Sequence, residues 1–396
     1  MTDQILTTIS AIEPELIEIR HDLHAHPETG FEEHRTAAIV ASTLRRWGLD
    51  VTDGLGRTGV VATLKGNQPG TRSIGLRADM DALNIDETTG LAYASTVSGK
   101  MHACGHDGHT AILLGAAYTL AQHRDFVGTV HFIFQPAEEG LGGGLAMLGD
   151  GLLERFPAEK LYGLHNWPGM PVGRFGTTTG ALMAAGDTWT VTLRGTGGHG
   201  GAAAHLSTDV TVAQAQFVMA AQTIVSRNVP ALQPAVISVG YIGGGAWGSP
   251  NVIPSEVVIR GTARCFDEKV RALLERRLGE VATAIAAVHG CTAELQYERI
   301  FAPLFNDADC TATAIAAARS IVGDAQVDTA VSPVTGSEDF AFMLQRRPGN
   351  YIFLGNGVAA DGSFAPVHTP KYDFNDKVLP LGVRYFVALA HRELAA

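Results

Sequence analysis

The sequence predicts an α/β protein in which a mixed-sheet domain is interrupted by a smaller domain of a different pattern. Three observations lead to this prediction. Apolar strands alternate with helices at both ends of the chain, the pattern changes near Asp187, and the first pattern returns after Pro303. We therefore divide the chain into 1–186, an inserted ferredoxin-like domain over 187–300, and 301–396, which completes the first domain.

The first part of the chain alternates between helical and strand patterns. Leu16, Ile19 and Leu23 repeat at helical spacing, and a second helical pattern ends before Gly48, a typical C-terminal cap. A third helix is expected after Thr110. Strands are predicted over 59–64, 74–78, 129–134 and 161–164, and a further helix near 145–156.

The inserted domain has its own order of elements. Strands are predicted over 188–193, 235–242, 256–266 and 293–300, and helices over 208–227 and 267–289. This order is βαββαβ, the split βαβ unit. A helix from about 311, a strand over 351–354 and a helix after Pro380 then resume the first pattern, which is why the second domain is interpreted as an insertion.

Composition excludes several classes of protein. The chain has 396 residues, 46% of them hydrophobic, and a formal net charge of -11, which argues against nucleic acid or an anionic membrane as a partner. The start resembles no signal peptide, and no apolar run is long enough to span a bilayer, so we expect a cytoplasmic protein. Four widely spaced cysteines are not a disulfide framework, which leaves Cys104 as a free thiol.

The stretch 104–109, Cys-Gly-His-Asp-Gly-His, carries the densest group of potential ligands. It places a thiolate and two imidazoles beside two glycines, which allow close approach of the backbone. It follows a strand and runs into a buried helix, so it lies where α/β proteins usually place their chemistry. A metal is the first candidate ligand, and Cys104 and His106 alone cannot fill its coordination shell.

Further donors follow later strands. The adjacent Glu138 and Glu139 come after the strand over 129–134, His165 ends the next strand, and His368 lies in a stiff loop between two prolines. Each has an ordinary interpretation, as a solvated acidic pair or a packed histidine. Three further histidines, at 21, 24 and 26, straddle a helix end and are interpreted as structural.

Taken together, these donor residues favour a metal site over the ordinary interpretation of each residue alone. Sulfur, nitrogen and oxygen ligands are available on both sides of the insertion, enough for two divalent ions if one donor or a water bridges them. The five candidate ligands are Cys104, His106, Glu139, His165 and His368.

Six stretches in order along nearly the whole chain resemble the hippurate hydrolase and N-acyl-amino-acid amidohydrolase family. This family is a branch of the dinuclear metallopeptidases that includes aminoacylases and auxin-conjugate hydrolases. The matching stretches are 75–83, 104–109, 135–140, 197–201, 251–256 and 337–340.

The resemblance implies roles for particular residues. It implies that the five candidate ligands bind two divalent metals and that Glu138 is the general base. The inserted domain would be a lid used for dimerisation, whose His199 completes the oxyanion site. Asn251 and Arg264 match substrate-binding positions, while Asp79 and Asp81 would support the ligands without binding metal. Separately from the resemblance, the spacing of one helical turn after His106 makes His109 a further candidate for a supporting position.

The sequence thus predicts a metal-dependent amidohydrolase that cleaves N-acyl-amino acids of the hippurate or N-acetyl type with Glu138 as general base. The metal would be manganese, zinc, nickel or cobalt, and the protein a homodimer or homotetramer through the lid. A dipeptidase or an N-carbamoyl-amino-acid hydrolase is an alternative. A non-catalytic metal- or ligand-binding protein on the same fold is the alternative from another class; the presence of Glu138 argues against it, because a binding module needs no general base.

Overall fold

The computed structural model describes residues 2–395 and divides into two compact units. The first unit comprises Met1–Leu182, Phe305–Ser332 and Asp339–Ala396, and the second comprises Met183–Leu304 and Pro333–Glu338. The chain therefore leaves the first unit after Leu182 and returns to it at Phe305. It then contributes one more short segment to the second unit before it completes the first. The predicted mixed α/β fold is confirmed.

Helices and strands are numbered in chain order. The α-helices are α1 Asp3–Ala25, α2 His34–Arg46, α3 His106–Gln122, α4 Gly143–Gly149, α5 Leu152–Arg155, α6 Val210–Asn228, α7 Glu268–Val288, α8 Ala308–Val322, α9 Phe340–Leu344 and α10 Leu379–Glu393. The strands are β1 Asp50–Leu55, β2 Gly59–Lys65, β3 Gln68–Asp79, β4 Val127–Gln135, β5 Lys160–Pro168, β6 Phe175–Gly176, β7 Gly180–Met183, β8 Ala185–Arg194, β9 Gly198–His199, β10 Ala235–Gly244, β11 Val252–Ile253, β12 Glu256–Cys265, β13 Thr292–Phe301, β14 Leu304–Asn306, β15 Val327–Asp328 and β16 Gly349–Gly357.

The first unit is built on a large mixed sheet with the strand order β1-β2-β4-β3-β5-β16-β6-β15. Strands β4, β3, β5 and β16 run parallel to one another, and β2 pairs antiparallel with β4. The carboxyl ends of the parallel strands therefore lie along one edge of the sheet, where open α/β sheets place ligand sites. Asp79 and Gln135, the last residues of β3 and β4, are paired there.

Helix α3 is the central helix of this unit. Nearly all its residues are buried, and it contacts α1, α10 and β3. A helix that is apolar on every side can be stable only inside a core, which explains why residues 110–117 carry no polar face. Among residues 2–395, no helix combines the length and apolarity needed to cross a membrane.

His131 gives the first unit a testable dependence of stability on pH. The side chain lies on β4 at 5% exposure, and burial lowers its pKa to about 4. Histidine in an unfolded chain has a pKa near 6.5, so between these values the unfolded state binds a proton that the native state rejects. Stability therefore falls as the pH drops from about 6.5 to about 4.

The measurement compares the free energy of unfolding of wild type and His131→Gln at pH 7 and pH 5. Wild type is expected to lose about 2 kcal/mol more than the variant over this interval, because the variant has no proton to gain. His34→Gln, at an exposed position, is the control and should lose as much as wild type. Equal losses in wild type and His131→Gln would contradict the prediction.

The second unit contains a four-stranded antiparallel sheet with the order β10-β12-β8-β13. With helices α6 and α7 between the strands, the chain order is βαββαβ, and this strand order is the ferredoxin-like one. Trp189 on β8 packs against Phe217 of α6 in the core. Buried Asp187 accepts hydrogen bonds from Arg271 and from the Tyr297 hydroxyl, so its charge is compensated.

Some elements differ from the sequence prediction. Helix α1 begins at Asp3, so the predicted helical pattern of Leu16, Ile19 and Leu23 covers only its second half. The single helix expected over 145–156 is instead two short helices, because Gly151 between them has a φ of 80°, outside the helical region. Strand β1 and the two- to four-residue strands β6, β7, β9, β11, β14 and β15 were not predicted.

Candidate active site

Helix α3 carries two of the predicted ligands at its amino-terminal end. His106 is its first residue, and Cys104 lies two residues before it; both side chains are buried. Gly105 between them has a φ of 94°, and a Cβ there would collide with the side chains of Asn166 and Tyr372. Glycine is thus required at this position both by the backbone conformation and by the lack of space.

A tight turn after β4 presents the two adjacent glutamates. Ala137 has a φ of 51°, a left-handed conformation that is unusual for a residue with a Cβ. Glu138 follows it at 5% exposure and accepts a hydrogen bond from the Asp339 amide at 3.2 Å. The Glu139 amide donates to Asp81 Oδ2 at 2.9 Å, which fixes the backbone between the two carboxylates.

His165 and His368 come from the middle of β5 and from a loop. His165 donates from Nδ1 to its neighbour's carbonyl, Asn166 O, at 2.6 Å, which leaves Nε2 as the nitrogen with a free lone pair. His368 has a φ of 62°, and its amide donates to Ala103 O at 2.7 Å. This hydrogen bond ties the loop of the carboxyl-terminal segment to the chain just before Cys104.

The structure brings the five predicted ligands into two overlapping groups that share Cys104. In each group the ligand atoms lie within 4.8 Å of one another; the first is Cys104, His106 and His165, and the second is Cys104, Glu139 and His368. Cys104 Sγ lies 3.3 Å from His165 Nε2, and His368 Nε2 lies 3.1 Å from Glu139 Oε1. Both groups lie within the first unit.

The hydrogen bonding of the His106 ring indicates that these residues suit a metal. Its Nδ1 donates to Asp81 O at 2.9 Å, and its buried Nε2 has no hydrogen-bond partner among residues 2–395. A buried nitrogen without a partner is costly unless it binds something. Thiolate, imidazole and carboxylate together are a donor set that suits zinc and other divalent transition metals.

His109, by contrast, is not available as a ligand. Its Nδ1 donates to Asp79 Oδ1 at 2.6 Å, and its Nε2 accepts from the Asn166 amide at 3.0 Å. Both ring nitrogens are therefore occupied by protein groups. Asp81 also contacts two of the predicted ligand residues, because its carboxylate accepts hydrogen bonds from His106 Nδ1 and from the Glu139 amide.

The electrostatics of the donor groups reflect burial and neighbouring charge. Burial raises the pKa of the Cys104 thiol and holds that of His165 well below its ordinary value. Burial opposes the charged form of His106, but the carboxylate of Asp79 and the Cys104 sulfur outweigh it and raise the pKa. Hydrogen bonds with Cys104 and Glu139 raise the pKa of His368 to about 10.

The remaining predicted residues belong to the second unit. His199 on β9 is paired with Val252 on β11, and Asn251 O accepts from the Gly200 amide at 2.8 Å, so His199 and Asn251 lie on neighbouring segments. Arg264 on β12 donates to Ala263 O at 2.9 Å. Its guanidinium also lies 3.4 Å from a second backbone carbonyl, Asp187 O.

Sequence reasoning assigned no role to several residues that hold the site. Asn166 donates to Cys104 O at 2.7 Å and accepts from the Tyr372 hydroxyl at 2.7 Å. Asp339 accepts from the Gly144 amide at 2.8 Å, so it links the first turn of α4 to the start of α9. The motif at 337–340 was a usable signal for Asp339, whereas Tyr372 offered none.

The fold and the donor geometry define an α/β protein with a candidate dinuclear metal centre at one edge of its large sheet. The family model for "Peptidase family M20/M25/M40" matches residues 75–392. The chain belongs to this family, and it is a hydrolase of the amide-cleaving kind, as predicted.

Relatives and a solved structure agree with this assignment. The chain is 37% identical to a hippurate hydrolase of Campylobacter jejuni, over 98% of this chain and 99% of the relative. It is 42% identical to an N-acetyl-L-cysteine deacetylase of Bacillus subtilis, over 96% and 88%. The crystal structure of the Bacillus subtilis YXEP protein, described as a dinuclear metal-binding peptidase of family M20, superposes with a TM-score of 0.84 at 33% identity, over 97% and 99% of the two chains.

Proposed function

We propose that the protein hydrolyses the amide bond of N-acyl-amino acids, with two divalent metal ions held by Cys104, His106, Glu139, His165 and His368. The observation that carries this proposal is the pair of ligand groups that share Cys104. Next to the candidate ligand Glu139 lies a second glutamate, Glu138, whose side chain is buried. When bound, such ions polarise a carbonyl and lower the pKa of a water molecule. Manganese and zinc are the ions we would test first, and nickel and cobalt also suit the donor set.

Glu138 is the residue we assign to proton transfer. It takes a proton from the attacking water and delivers it to the nitrogen of the leaving amino acid as the C–N bond breaks. The Asp339 amide holds one of its oxygens, and the adjacent Glu139 occupies the ligand group. Adjacent residues in this turn can thus have separate roles, one in metal binding and one in acid–base chemistry.

The names of the two relatives suggest the substrate class. A hippurate hydrolase and an N-acetyl-L-cysteine deacetylase both act on an amide whose nitrogen belongs to an α-amino acid with a free carboxylate. Arg264 and Asn251 are the candidates to hold that carboxylate. In support, the Arg264 guanidinium donates to the backbone carbonyls of Asp187 and Ala263, so its charge can serve an anion.

The test is amino-acid release by metal-stripped protein, with and without added manganese or zinc. The panel contains hippurate, N-acetyl-amino acids, N-carbamoyl-amino acids and dipeptides, and the amide of hippurate is the control that lacks the carboxylate. We expect metal-dependent release from the first two classes and little from the control. Release only from dipeptides or carbamoyl compounds would support the alternatives, and release from none would contradict the proposal.

His199 is proposed to donate a hydrogen bond to the developing oxyanion. Its Nδ1 accepts from the Gly201 and Ala202 amides at 3.2 and 3.1 Å, so the neutral ring carries its proton on Nε2 and is a donor there. His199→Ala should lower kcat about 100-fold with little change in metal content. The exposed His205→Ala is the control, and an unchanged kcat in His199→Ala would show that the loop is only a turn.

We also propose a cytoplasmic homodimer or homotetramer formed through the second unit acting as a lid. The edge strand β10 exposes Val236, Tyr241 and Ile242, apolar side chains typical of an interface. The four cysteines are buried free thiols, which suits a reducing compartment.

A further inference from the structure

Glu33 is a buried carboxylate for which the proposed mechanism has no use. It precedes helix α2 and is 0% exposed, whereas the side chain of its neighbour Glu32 is 62% exposed. Burial raises the pKa of the Glu33 carboxyl group. A carboxylate is costly in such surroundings, and it persists only where hydrogen bonds compensate for the lost water.

Each oxygen of Glu33 accepts one hydrogen bond from the protein. The Ala137 amide donates to Oε1 at 2.8 Å, and the Thr58 hydroxyl donates to Oε2 at 2.6 Å. The side chain does not cap its own helix. It reaches instead to the turn after β4, a segment far away in the sequence.

Ala137 is the left-handed residue directly before Glu138. A residue with a Cβ keeps this conformation only where its surroundings enforce it. Glu33 holds the Ala137 amide, the Gly143 amide donates to the Ala137 carbonyl at 3.0 Å, and a Cβ on Gly30 would press against Ala137. The turn is therefore held from both sides of its strained residue.

We infer that Glu33 is a positioning residue for amide hydrolysis, which holds the Ala137 turn and thereby sets the location of the Glu138 carboxylate. This inference rests on the proposed role of Glu138. A movement of the Ala137 backbone displaces Glu138, which is bonded directly to it, and an error of about 1 Å in a reacting group can cost 100-fold in rate. Both Glu33 oxygens are already paired, so it acts through the turn and not on substrate.

The decisive variant is Glu33→Met, which keeps the length and apolar packing of the side chain but leaves the Ala137 amide without an acceptor. We expect kcat to fall 10- to 100-fold, with KM and the metal content per chain within about twofold of wild type. Glu33→Gln is expected to stay within about threefold, because its amide oxygen can accept from Ala137 while Thr58 rotates to accept from its amide nitrogen. Glu32→Gln is the matched control, with unchanged kinetics.

Two results with the single Glu33 variants would overturn the inference. The first is a folded Glu33→Met with wild-type kcat. The second is a Glu33→Gln that loses as much activity as Glu33→Met, because the charge and not the hydrogen bond would then matter. If Glu33→Met does not fold, Thr58→Val is the substitute, because it removes only the hydrogen bond from Thr58 to Glu33. This variant should lower kcat about twofold to fivefold. An unchanged kcat in Thr58→Val would count against the inference.

A double variant separates this inference from the proposed function. In a Glu138→Gln background, Glu33→Met should change the residual single-turnover rate by less than twofold, because the group that it positions is already inactive. A further tenfold loss would show that Glu33 acts by another route and would overturn the inference. Normal turnover in Glu138→Gln alone would instead refute the assignment of the base, whatever the Glu33 variants do.

Discussion

Replacing Glu138 with Gln is expected to lower kcat by about 1,000-fold while the protein keeps its metals. A positioned general base contributes about 10²- to 10⁴-fold, and an amide cannot take the proton of the attacking water. The shape of the side chain is preserved, and the amide oxygen can still accept from Asp339 N, as Glu138 Oε1 does at 3.2 Å. The loss should therefore be one of proton transfer and not of structure.

The measurement is kcat and KM on the best substrate of the panel, together with metal content per chain. Glu139→Gln is the comparison, because it alters the adjacent carboxylate of the ligand group and should lower metal content as well as rate. If Glu138→Gln turned over at a near-normal rate, or lost its metals, the assignment of the general base to Glu138 would be wrong.

Replacing Cys104 with Ala is expected to have an effect at least as large. Cys104 belongs to both ligand groups, so its loss removes a donor from each at once. We expect metal content well below two ions per chain and a rate lower by about 1,000-fold or more, similar to that of chelator-treated wild type.

Cys291→Ala is the matched control, since Cys291 is also a buried free thiol but lies in the second unit. It should keep full metal content and activity within about twofold. Chelator-treated wild type should regain its rate when manganese or zinc is added, and Cys104→Ala should not. Full activity and two bound ions in Cys104→Ala would contradict the assigned ligand set.

Much of the fold could be predicted because its signals are local. Strands β2, β4 and β5 each contain consecutive apolar residues, and the helices of the second unit repeat at helical spacing, so single segments contain the information. Strands of two residues, such as β6 and β15, contain no period that could be recognised. Their existence depends on neighbours such as β16 that are far away in the sequence.

In the candidate site, too, some residues could be predicted from local sequence and others could not. Cys104, Glu139 and His165 follow or lie in strands and attract attention by residue type. The groups that hold them do not, because a hydrogen bond such as that of Tyr372 to Asn166 depends on a fold that joins segments 206 positions apart. His24 was interpreted as structural, and it contacts Asp107, the residue after His106, at 2.9 Å.

The position of β16 in the large sheet has a consequence for biosynthesis. Strand β16 lies between β5 and β6, yet the ribosome makes it only after the entire second unit and helix α8. Until then β5 offers an open edge with the apolar Leu161, Tyr162 and Leu164, the kind of surface on which nascent chains associate. His368 is made later still, so the proposed ligand set is complete only when the chain is nearly finished, and a prematurely terminated product carries an exposed sheet and an incomplete candidate metal site.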